Sequence, residues 1–304
     1  MLKDFFQSSS GMRFKSRTFT TALIAPGLFC LIVFLAVPCL SLIFLSLASK
    51  GTYGNIEWTI SLENYKRLLG YNLFGWRPDF FFILLRSLRE AFVTTVVCII
   101  LSYPLSFYIA SRKTPLSRFV WLVLLTVPFC TNLVIRTYAW QLLLDPQSPI
   151  TQVAAFFGMV PKGSPMYPGA FAVYLGMITT FLPFMALPLY SSIERLNWQL
   201  PQAAKDLYAS PYLIFKQAIL PQTIHGLYAG IIITFVPAMA MFVVTDILGG
   251  AKYMLIGNLI QQQFSQARDW PFGATLSLAL MCLTLLSFAL FRTSRISREG
   301  GSIY

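Results

Sequence analysis

The sequence predicts an all-α polytopic membrane protein with six transmembrane helices. Of its 304 residues, 56% are hydrophobic and only 11% are charged, whereas an average soluble domain carries about a quarter charged residues. The apolar residues form long uncharged stretches, and about 20 such residues are enough to cross a bilayer core about 30 Å thick. Both observations exclude an ordinary soluble globular protein.

The uncharged stretches between flanking charges define the predicted spans. Arg136 interrupts one of them, and joining the stretches on its two sides leaves six spans. They cover residues 18–49, 91–111, 119–144, 163–193, 217–245 and 270–291. The first stretch is far longer than the roughly 7–15 apolar residues of a signal peptide, so we expect it to remain in the membrane.

These spans divide the chain into a polar tail (1–17), a transmembrane domain (18–291) and a second tail (292–304). Residues 50–90 form the longest predicted exterior loop. The apolar segment 80–85 within it is too short to cross a bilayer. We therefore expect this loop to lie outside the membrane core.

The basic residues predict the orientation of the chain. Its 23 Lys and Arg against 11 Asp and Glu give a net charge of +12. The two tails and the loops 112–118 and 194–222 hold 13 basic and 4 acidic residues. Because basic loops stay in the cytoplasm, both termini and the 194–222 loop are predicted to be cytoplasmic. This placement explains the basic excess without a nucleic-acid partner.

The residue types needed for catalysis or metal binding are scarce. The five cysteines fall within predicted spans and form no C-x-x-C pair, and His225 is the single histidine. The dipeptide Gly-Lys never occurs, which excludes a Walker A phosphate-binding loop. We predict no catalytic residue, no metal site and no cofactor bound by this chain.

Prolines interrupt spans three, four and five and predict kinked helices, because a proline removes a backbone hydrogen bond. They are Pro128, Pro183, Pro188 and Pro237. Such kinks are typical of a bundle around a pathway, although packing explains each one singly. Gly226 and Gly230 form a G-x-x-x-G pattern in span five, which we interpret as close helix packing.

The 194–222 loop carries two helix signals. Pro201 suits the first position of a helix, and Ser210-Pro211 combines an N-cap with a proline at the next position. The pattern therefore predicts a short helix, a break and a second helix. Ala203, Ala204 and Leu207 share one face of the first helix, which fits either a partner's groove or a lipid surface.

This loop resembles the coupling loop of ABC importer permeases, whose pattern is Glu-Ala-Ala, three residues, Gly, nine residues and Ile-x-Leu-Pro. The matching residues are Ala203, Ala204, Leu220 and Pro221, and the departures are Gln202 for Glu, Tyr208 for Gly and Ala218 for Ile. The resemblance implies that the loop, with Asp206 and Leu207, contacts an ATPase. The missing carboxylate should weaken a charged contact, and we expect a tyrosine not to adopt the left-handed turn readily.

Three longer blocks, 127–136, 182–196 and 246–273, resemble the permease subunits of spermidine/putrescine importers, especially the first of the two. The resemblance covers roughly residues 20–291. It implies a non-enzymatic permease of the bacterial inner membrane that works with a second permease, two ATPase copies carrying ATP and Mg²⁺, and an extracytoplasmic substrate-binding protein. The alternatives are a permease for another small solute and an ion-coupled secondary transporter, which would need carboxylates inside the spans; the predicted spans contain none.

A path for a polycation needs carboxylates, carbonyl oxygens and aromatic faces. The candidates for the path or for binding-protein docking are Asp246, Asp145, Asp269, Trp270, Tyr190 and Asn132. The alternative for the acids is a helix-end role, and for Tyr190 and Asn132 it is hydrogen bonding between helices. For Arg136 we expect a structural role, either pairing with Asp145 or extending to the outer surface.

Overall fold

The computed structural model describes residues 2–51, 54–72, 75–76, 78–158, 161, 163–250 and 253–299, with the backbone only over 2–23, 72, 75 and 290–299. Thirteen α-helices, one π-helical turn and two small hairpins make up this part of the chain. The helices are α1 (Leu2–Leu47), α2 (Glu63–Leu68), α3 (Asp79–Ala110), α4 (Pro115–Cys130), α5 (Leu133–Leu143), α6 (Pro149–Phe156), α7 (Ala170–Glu194), α8 (Gln199–Asp206), α9 (Pro211–Ile214), α10 (Leu220–Ala240), α11 (Val243–Gly249), α12 (Ile256–Ser265) and α13 (Trp270–Glu299), with the π-helical turn at Phe215–Ile219.

Both hairpins lie between α1 and α3. Strand β1 (Ser49–Lys50) pairs antiparallel with β2 (Ile56–Glu57), and β3 (Tyr71–Asn72) pairs antiparallel with β4 (Gly75–Trp76). Two-residue strands of this kind cannot form a core of their own. They tie down the connection between the first two membrane helices.

The described residues contain five segments that are long and apolar enough to cross a bilayer. They are Ile24–Leu47, Asp79–Ala110, Ala170–Glu194, Pro211–Ala240 and Trp270–Ala289. The pair α4 and α5 is apolar enough as well but is bent by 92° at its break. Counting this pair as one broken span gives six, and the predicted all-α six-span membrane fold is confirmed.

The second span differs from the prediction. Helix α3 begins at Asp79 rather than at residue 91, so its first three turns were wrongly assigned to the exterior loop. At 1.5 Å per residue, its 32 residues extend for about 48 Å, well beyond a hydrocarbon core about 30 Å thick. Glu90 therefore lies inside a spanning helix, and the expectation of spans without carboxylates is wrong.

Helices α3, α7 and α10 form the centre of the bundle. Gly226 and Gly230 lie where α10 crosses α7, as expected of a packing motif. A methyl group on Gly226 would lie 2.5 Å from the backbone oxygen of Pro188, and one on Gly230 would lie 2.7 Å from the sulfur of Met185. The two helices thus approach each other at a distance that only glycine permits here.

The third span breaks between α4 and α5, just after Pro128. The side-chain oxygen of Asn132 accepts a hydrogen bond from the Val134 backbone nitrogen at 2.8 Å and so caps α5. Arg136 donates to the Pro128 carbonyl at 2.9 Å and to the Thr180 hydroxyl at 3.3 Å. Arg136 therefore donates a hydrogen bond to the backbone at the helix break and does not pair with Asp145.

The predicted fifth span, residues 217–245, is interrupted by the turn between α10 and α11. The Asn258 amide of α12 donates to the Phe242 carbonyl at 3.1 Å, and Asn258 accepts a hydrogen bond from the Thr245 hydroxyl at 2.6 Å. Gly257 lies so close to Ala240 that a methyl group there would overlap the backbone. Helix α12 thus provides the polar partners that this break needs.

The packing at the α7–α10 crossing predicts the effect of Gly226→Ala. The added methyl group meets backbone that cannot move away, so we expect the folded chain to lose about 1–3 kcal/mol of stability. Gly27→Ala is the matched control, because nothing in the structure lies within 4 Å of its added methyl group. Thermal unfolding of the purified variants in detergent measures the difference, and equal melting temperatures would contradict the prediction.

Candidate functional site

The 194–222 loop, named the coupling loop after the motif it resembles, joins α7 to α10 and contains the two short helices that the sequence predicts. Helix α8 begins at Gln199, so Pro201 occupies its third position rather than its first. Helix α9 begins at Pro211, and the hydroxyl of Ser210 caps it by accepting a hydrogen bond from the Leu213 backbone nitrogen at 3.4 Å. The second helix signal is therefore confirmed in full.

A tight turn between α8 and α9 depends on Tyr208, which adopts a left-handed conformation with φ of +56°. Its backbone nitrogen donates to the Lys205 carbonyl at 2.9 Å, and that of Ala209 donates to the Ala204 carbonyl at 3.1 Å. These two bonds define a Schellman motif, which usually has glycine at the left-handed position. The expectation that tyrosine would avoid this turn is wrong, because two backbone hydrogen bonds hold it there.

The tip of the coupling loop presents apolar side chains to its surroundings. Leu207 is 82% exposed and Tyr208 is 98% exposed. Gln202, Ala203 and Asp206 are also exposed, whereas Ala204 is half-buried. At the far end of the loop, Leu220 is half-buried and Pro221 is exposed. Exposed large apolar side chains beside a face of small residues are typical of a surface that binds another protein.

Aromatic contacts hold both ends of the coupling loop against α3. The Trp198 ring lies edge-on to Phe107 with centroids 6.4 Å apart, and the Phe215 ring lies edge-on to Tyr103 at 5.4 Å. The Tyr103 hydroxyl is also 3.1 Å from the hydroxyl of Thr223 on α10. Packed side chains therefore join the coupling loop to α3 and α10.

Polar contacts add a second set of links. The side-chain oxygen of Gln222 on α10 accepts a hydrogen bond from the Asn197 backbone nitrogen at 3.0 Å. Arg118 on α4 forms an ion pair with Glu194, the last residue of α7, at 3.6 Å. The coupling loop thus connects the ends of four membrane helices, α3, α4, α7 and α10.

Asp246 is the most accessible of the acidic path candidates. It lies in α11, the short helix beyond the break in the fifth span, and α11 packs against α5 and α7. The carboxylate is exposed. Among the residues that the structure describes, no hydrogen bond or ion pair involves its side chain. The carboxylate is therefore accessible from the surface of the chain.

Asp269 and Trp270 have different surroundings. Asp269 is buried, forms a 3.0 Å ion pair with Arg67 and accepts a hydrogen bond from the Phe272 backbone nitrogen at 3.2 Å. It therefore caps α13 and joins that helix to α2. This is the helix-end role expected as the alternative to a place in the path. Trp270 remains partly exposed, with its ring edge-on to Phe264 at 5.9 Å.

The remaining candidates also have local partners. Asp145 accepts a hydrogen bond from the Gln147 backbone nitrogen at 3.1 Å in the turn after α5. Asn132 caps α5, as described above. Tyr190 is buried in a cluster with Ile109 and Ile193. The structure therefore does not bring the six candidates together, and Asp246 is the one whose carboxylate has no partner among the described residues.

Glu90 is a buried charged residue that the sequence reasoning missed. It is 0% exposed on α3, and one carboxylate oxygen, Oε1, accepts a hydrogen bond from the Arg89 guanidinium at 2.6 Å. The other oxygen, Oε2, is buried without a hydrogen-bond partner among the described residues. The signal was present in the sequence, because residues 79–110 can form one continuous helix that accommodates charges in its first turns.

Tyr253, in the turn between α11 and α12, lies beside Glu90. Burial raises the pKa of Tyr253, and the neighbouring Glu90 carboxylate and Tyr174 hydroxyl raise it further. The phenol therefore stays protonated at neutral pH and is able to donate a hydrogen bond. The guanidinium of Arg86 lies over the Tyr253 ring, 4.8 Å from its centroid.

Comparisons with known proteins agree with this architecture. The chain is 37% identical over 267 residues to the spermidine/putrescine transport system permease protein PotB of Escherichia coli, covering 88% of this chain and 94% of the relative. It is 35% identical over 267 residues to PotB of Haemophilus influenzae, covering 88% and 91%. No family model matches the chain.

A solved structure supports the fold independently. The chain matches a bacterial ABC transporter involved in the import of the acidic polysaccharide alginate with a TM-score of 0.58 and 12% identity, over 92% of this chain and 97% of the other. At that identity the likeness concerns the fold only. The sequence match to PotB, in contrast, covers nearly the whole chain at well above 30% identity, so this chain belongs to the PotB family of ABC importer permeases.

Proposed function

We propose that this chain is a transmembrane permease subunit of an ATP-driven importer for polyamines such as spermidine and putrescine. The observation that carries the proposal is the 37% identity to PotB over 88% of the chain. The six-span fold and the exposed coupling loop support it. The function lies in moving a cation across the bilayer, so the chain itself catalyses no reaction.

The proposed assembly contains a second permease, two copies of an ATPase and an extracytoplasmic substrate-binding protein. ATP and Mg²⁺ would be bound by the ATPase, because this chain lacks a Walker A loop. Both termini and the coupling loop face the cytoplasm of a bacterial-type inner membrane, an orientation supported by the distribution of basic residues.

The coupling loop passes the motion of the ATPase to the membrane helices. The small face of α8 and the apolar tip at Leu207 and Tyr208 provide the contact surface. Trp198 and Phe215 press this loop against α3, so a push on α8 moves α3 and α10 together. Alternating exposure of the path to the two sides of the membrane follows from that movement.

The path needs groups that replace the water around an ammonium ion without holding it permanently. Asp246 meets this need, because its exposed carboxylate on α11 has no partner among the described residues. Helix α11 exists as a separate short helix only because the fifth span breaks after Ala240. The break thus places an accessible carboxylate on a helix packed against the bundle.

The first test concerns the cargo. We expect Asp246→Asn to lower uptake of labelled spermidine into proteoliposomes at least about fivefold, the size expected when a charged hydrogen bond is lost. The liposomes contain the complete transporter and receive the loaded binding protein and ATP. Asp79→Asn, another exposed acid on this chain, is the control and should leave uptake unchanged. Full uptake by Asp246→Asn at equal protein would rule out this role.

The second test concerns the ATPase contact. Ala203→Trp adds bulk to the exposed small face of α8, and we expect the ATPase to dissociate from the purified complex. Lys205→Trp is the matched control, since positions 203 and 205 point about 200° apart on a helix with 3.6 residues per turn. Copurification of the ATPase measures the effect. Equal retention in both variants would show that this face is not the docking surface.

The third test concerns the strained turn. A left-handed conformation costs a residue other than glycine about 1–2 kcal/mol, so Tyr208→Gly should stabilise the Schellman turn. We expect the protection factor of the Ala209 amide in hydrogen exchange to rise about fivefold or more. Tyr208→Ala removes the ring but keeps the strain, and its protection factor should stay near that of the parent chain. A similar rise in both variants would show that the ring, rather than the backbone, limits the turn.

A further inference from the structure

The outer part of α3 contains a buried carboxylate that is only half paired. Oε1 of Glu90 accepts two hydrogen bonds from Arg89, at 2.6 and 3.3 Å. Oε2 is buried without a hydrogen-bond partner among the described residues. An unpaired buried carboxylate oxygen is destabilising, and such a group calls for an explanation. A ligand that donates hydrogen bonds would relieve the penalty.

A second unpaired atom lies beside the first. The buried Tyr253 hydroxyl lies beside the Glu90 carboxylate and the Tyr174 hydroxyl, without the geometry of a full hydrogen bond to either. The ring of the same tyrosine carries the Arg86 guanidinium on its face at 4.8 Å. A carboxylate oxygen, a hydroxyl oxygen and an aromatic face that already attracts a cation therefore occur together between α3 and the turn before α12.

The chemistry of these groups selects the ligand. A primary ammonium carries three donors and a positive charge, so it can bind Oε2 of Glu90 and the Tyr253 hydroxyl at once. An anion would pair with Arg86 and Arg89 at the surface and would leave the buried Oε2 of Glu90 without a donor. A metal ion is disfavoured, because the described residues contain no group of three or more His, Cys, Asp or Glu side chains able to hold one.

The site is reachable through Arg89. The Arg89 side chain is 64% exposed while Glu90 is fully buried, so Arg89 separates the carboxylate from the surface. Arg86 and Arg89, with Phe82 and Leu85, line a surface cavity of about 380 Å³. Because leaving a buried charge without its partner is strongly destabilising, Arg89 moves aside only when another cation takes its place at Glu90. Cations entering the cavity would meet Arg89 before they reach Glu90.

The position along the helix fits an entry site. Glu90 lies eleven residues after Asp79, where α3 begins, which is about 16 Å along the helix axis. In the proposed orientation, the Asp79 end faces the outside. A substrate released there by the binding protein would find Glu90 within the outer part of the membrane.

We propose that Glu90 and Tyr253 bind one ammonium group of the transported polyamine, and that Arg89 is a resident cation which the substrate displaces. This inference rests on the proposed polyamine importer function. Glu90 holds the ammonium by charge and by a hydrogen bond, and Tyr253 accepts a second hydrogen bond. Arg89 keeps the carboxylate paired when no substrate is present, so the site is ready without carrying a bare buried charge.

The experiment uses the assembled permease–ATPase complex in detergent without the binding protein, and its probe is labelled spermidine. We expect Glu90→Gln to raise the Kd for spermidine at least about tenfold, the size of one charged hydrogen bond. Glu90→Asp, which keeps the charge, should recover part of the loss. Arg89→Gln removes the competing cation, so the Kd should fall at least about threefold. Glu63→Gln and Lys66→Gln, at exposed positions on α2, should leave the Kd unchanged.

The outcomes separate the two proposals. A wild-type complex that takes up no spermidine in proteoliposomes with loaded binding protein and ATP refutes the proposed function. Normal wild-type uptake with an unchanged Kd in Glu90→Gln overturns the ammonium site alone. So does a complex that transports spermidine but binds none at millimolar concentration. Loss of assembled complex in both Glu90→Gln and Arg89→Gln, with an unaltered Kd in the remainder, assigns the pair a purely structural role and also overturns the site.

Discussion

The need to pair every backbone polar group inside a bilayer governs this structure. Helix breaks after Cys130 and after Ala240 leave backbone carbonyls without helical partners. Arg136 reaches back to Pro128 at the first break, and Asn258 reaches across to Phe242 at the second. These side chains satisfy backbone carbonyls at the two breaks, after which α5 and α11 begin as separate helices.

The breaks also explain why the bundle relies on small residues. Helix α12 can supply Asn258 to the break only because Gly257 lets its backbone approach Ala240. At the α7–α10 crossing, Gly226 has the same effect against Pro188. Close approach here is therefore a condition for polar pairing as well as for packing. A coupled movement of these helices must keep both kinds of contact.

Much of the fold could be predicted, because the hydropathy of a segment indicates whether it can cross the bilayer and the basic residues indicate on which side its loops lie. The coupling loop was recognisable from Ser210-Pro211 and from the spacing of its matching residues. The 92° bend after Pro128 could not be predicted, since a proline indicates a kink but not its size. The left-handed Tyr208 was mispredicted because propensity describes an isolated residue, while here two backbone hydrogen bonds outweigh the local strain.

Glu90 on α3 shows why the charges that flank an uncharged stretch do not mark the ends of a membrane helix. A charge ends an uncharged stretch, but it does not end a helix, and α3 continues through Arg86, Arg89 and Glu90 to Asp79. A helix longer than the hydrocarbon core can carry such residues at the end nearest water, where an arginine can remain exposed beside a buried carboxylate. The polar groups that the span prediction excludes are thus the ones able to attract a cation. In a permease for polycations, residues near the end of a membrane helix can therefore bind the substrate as well as residues at its centre.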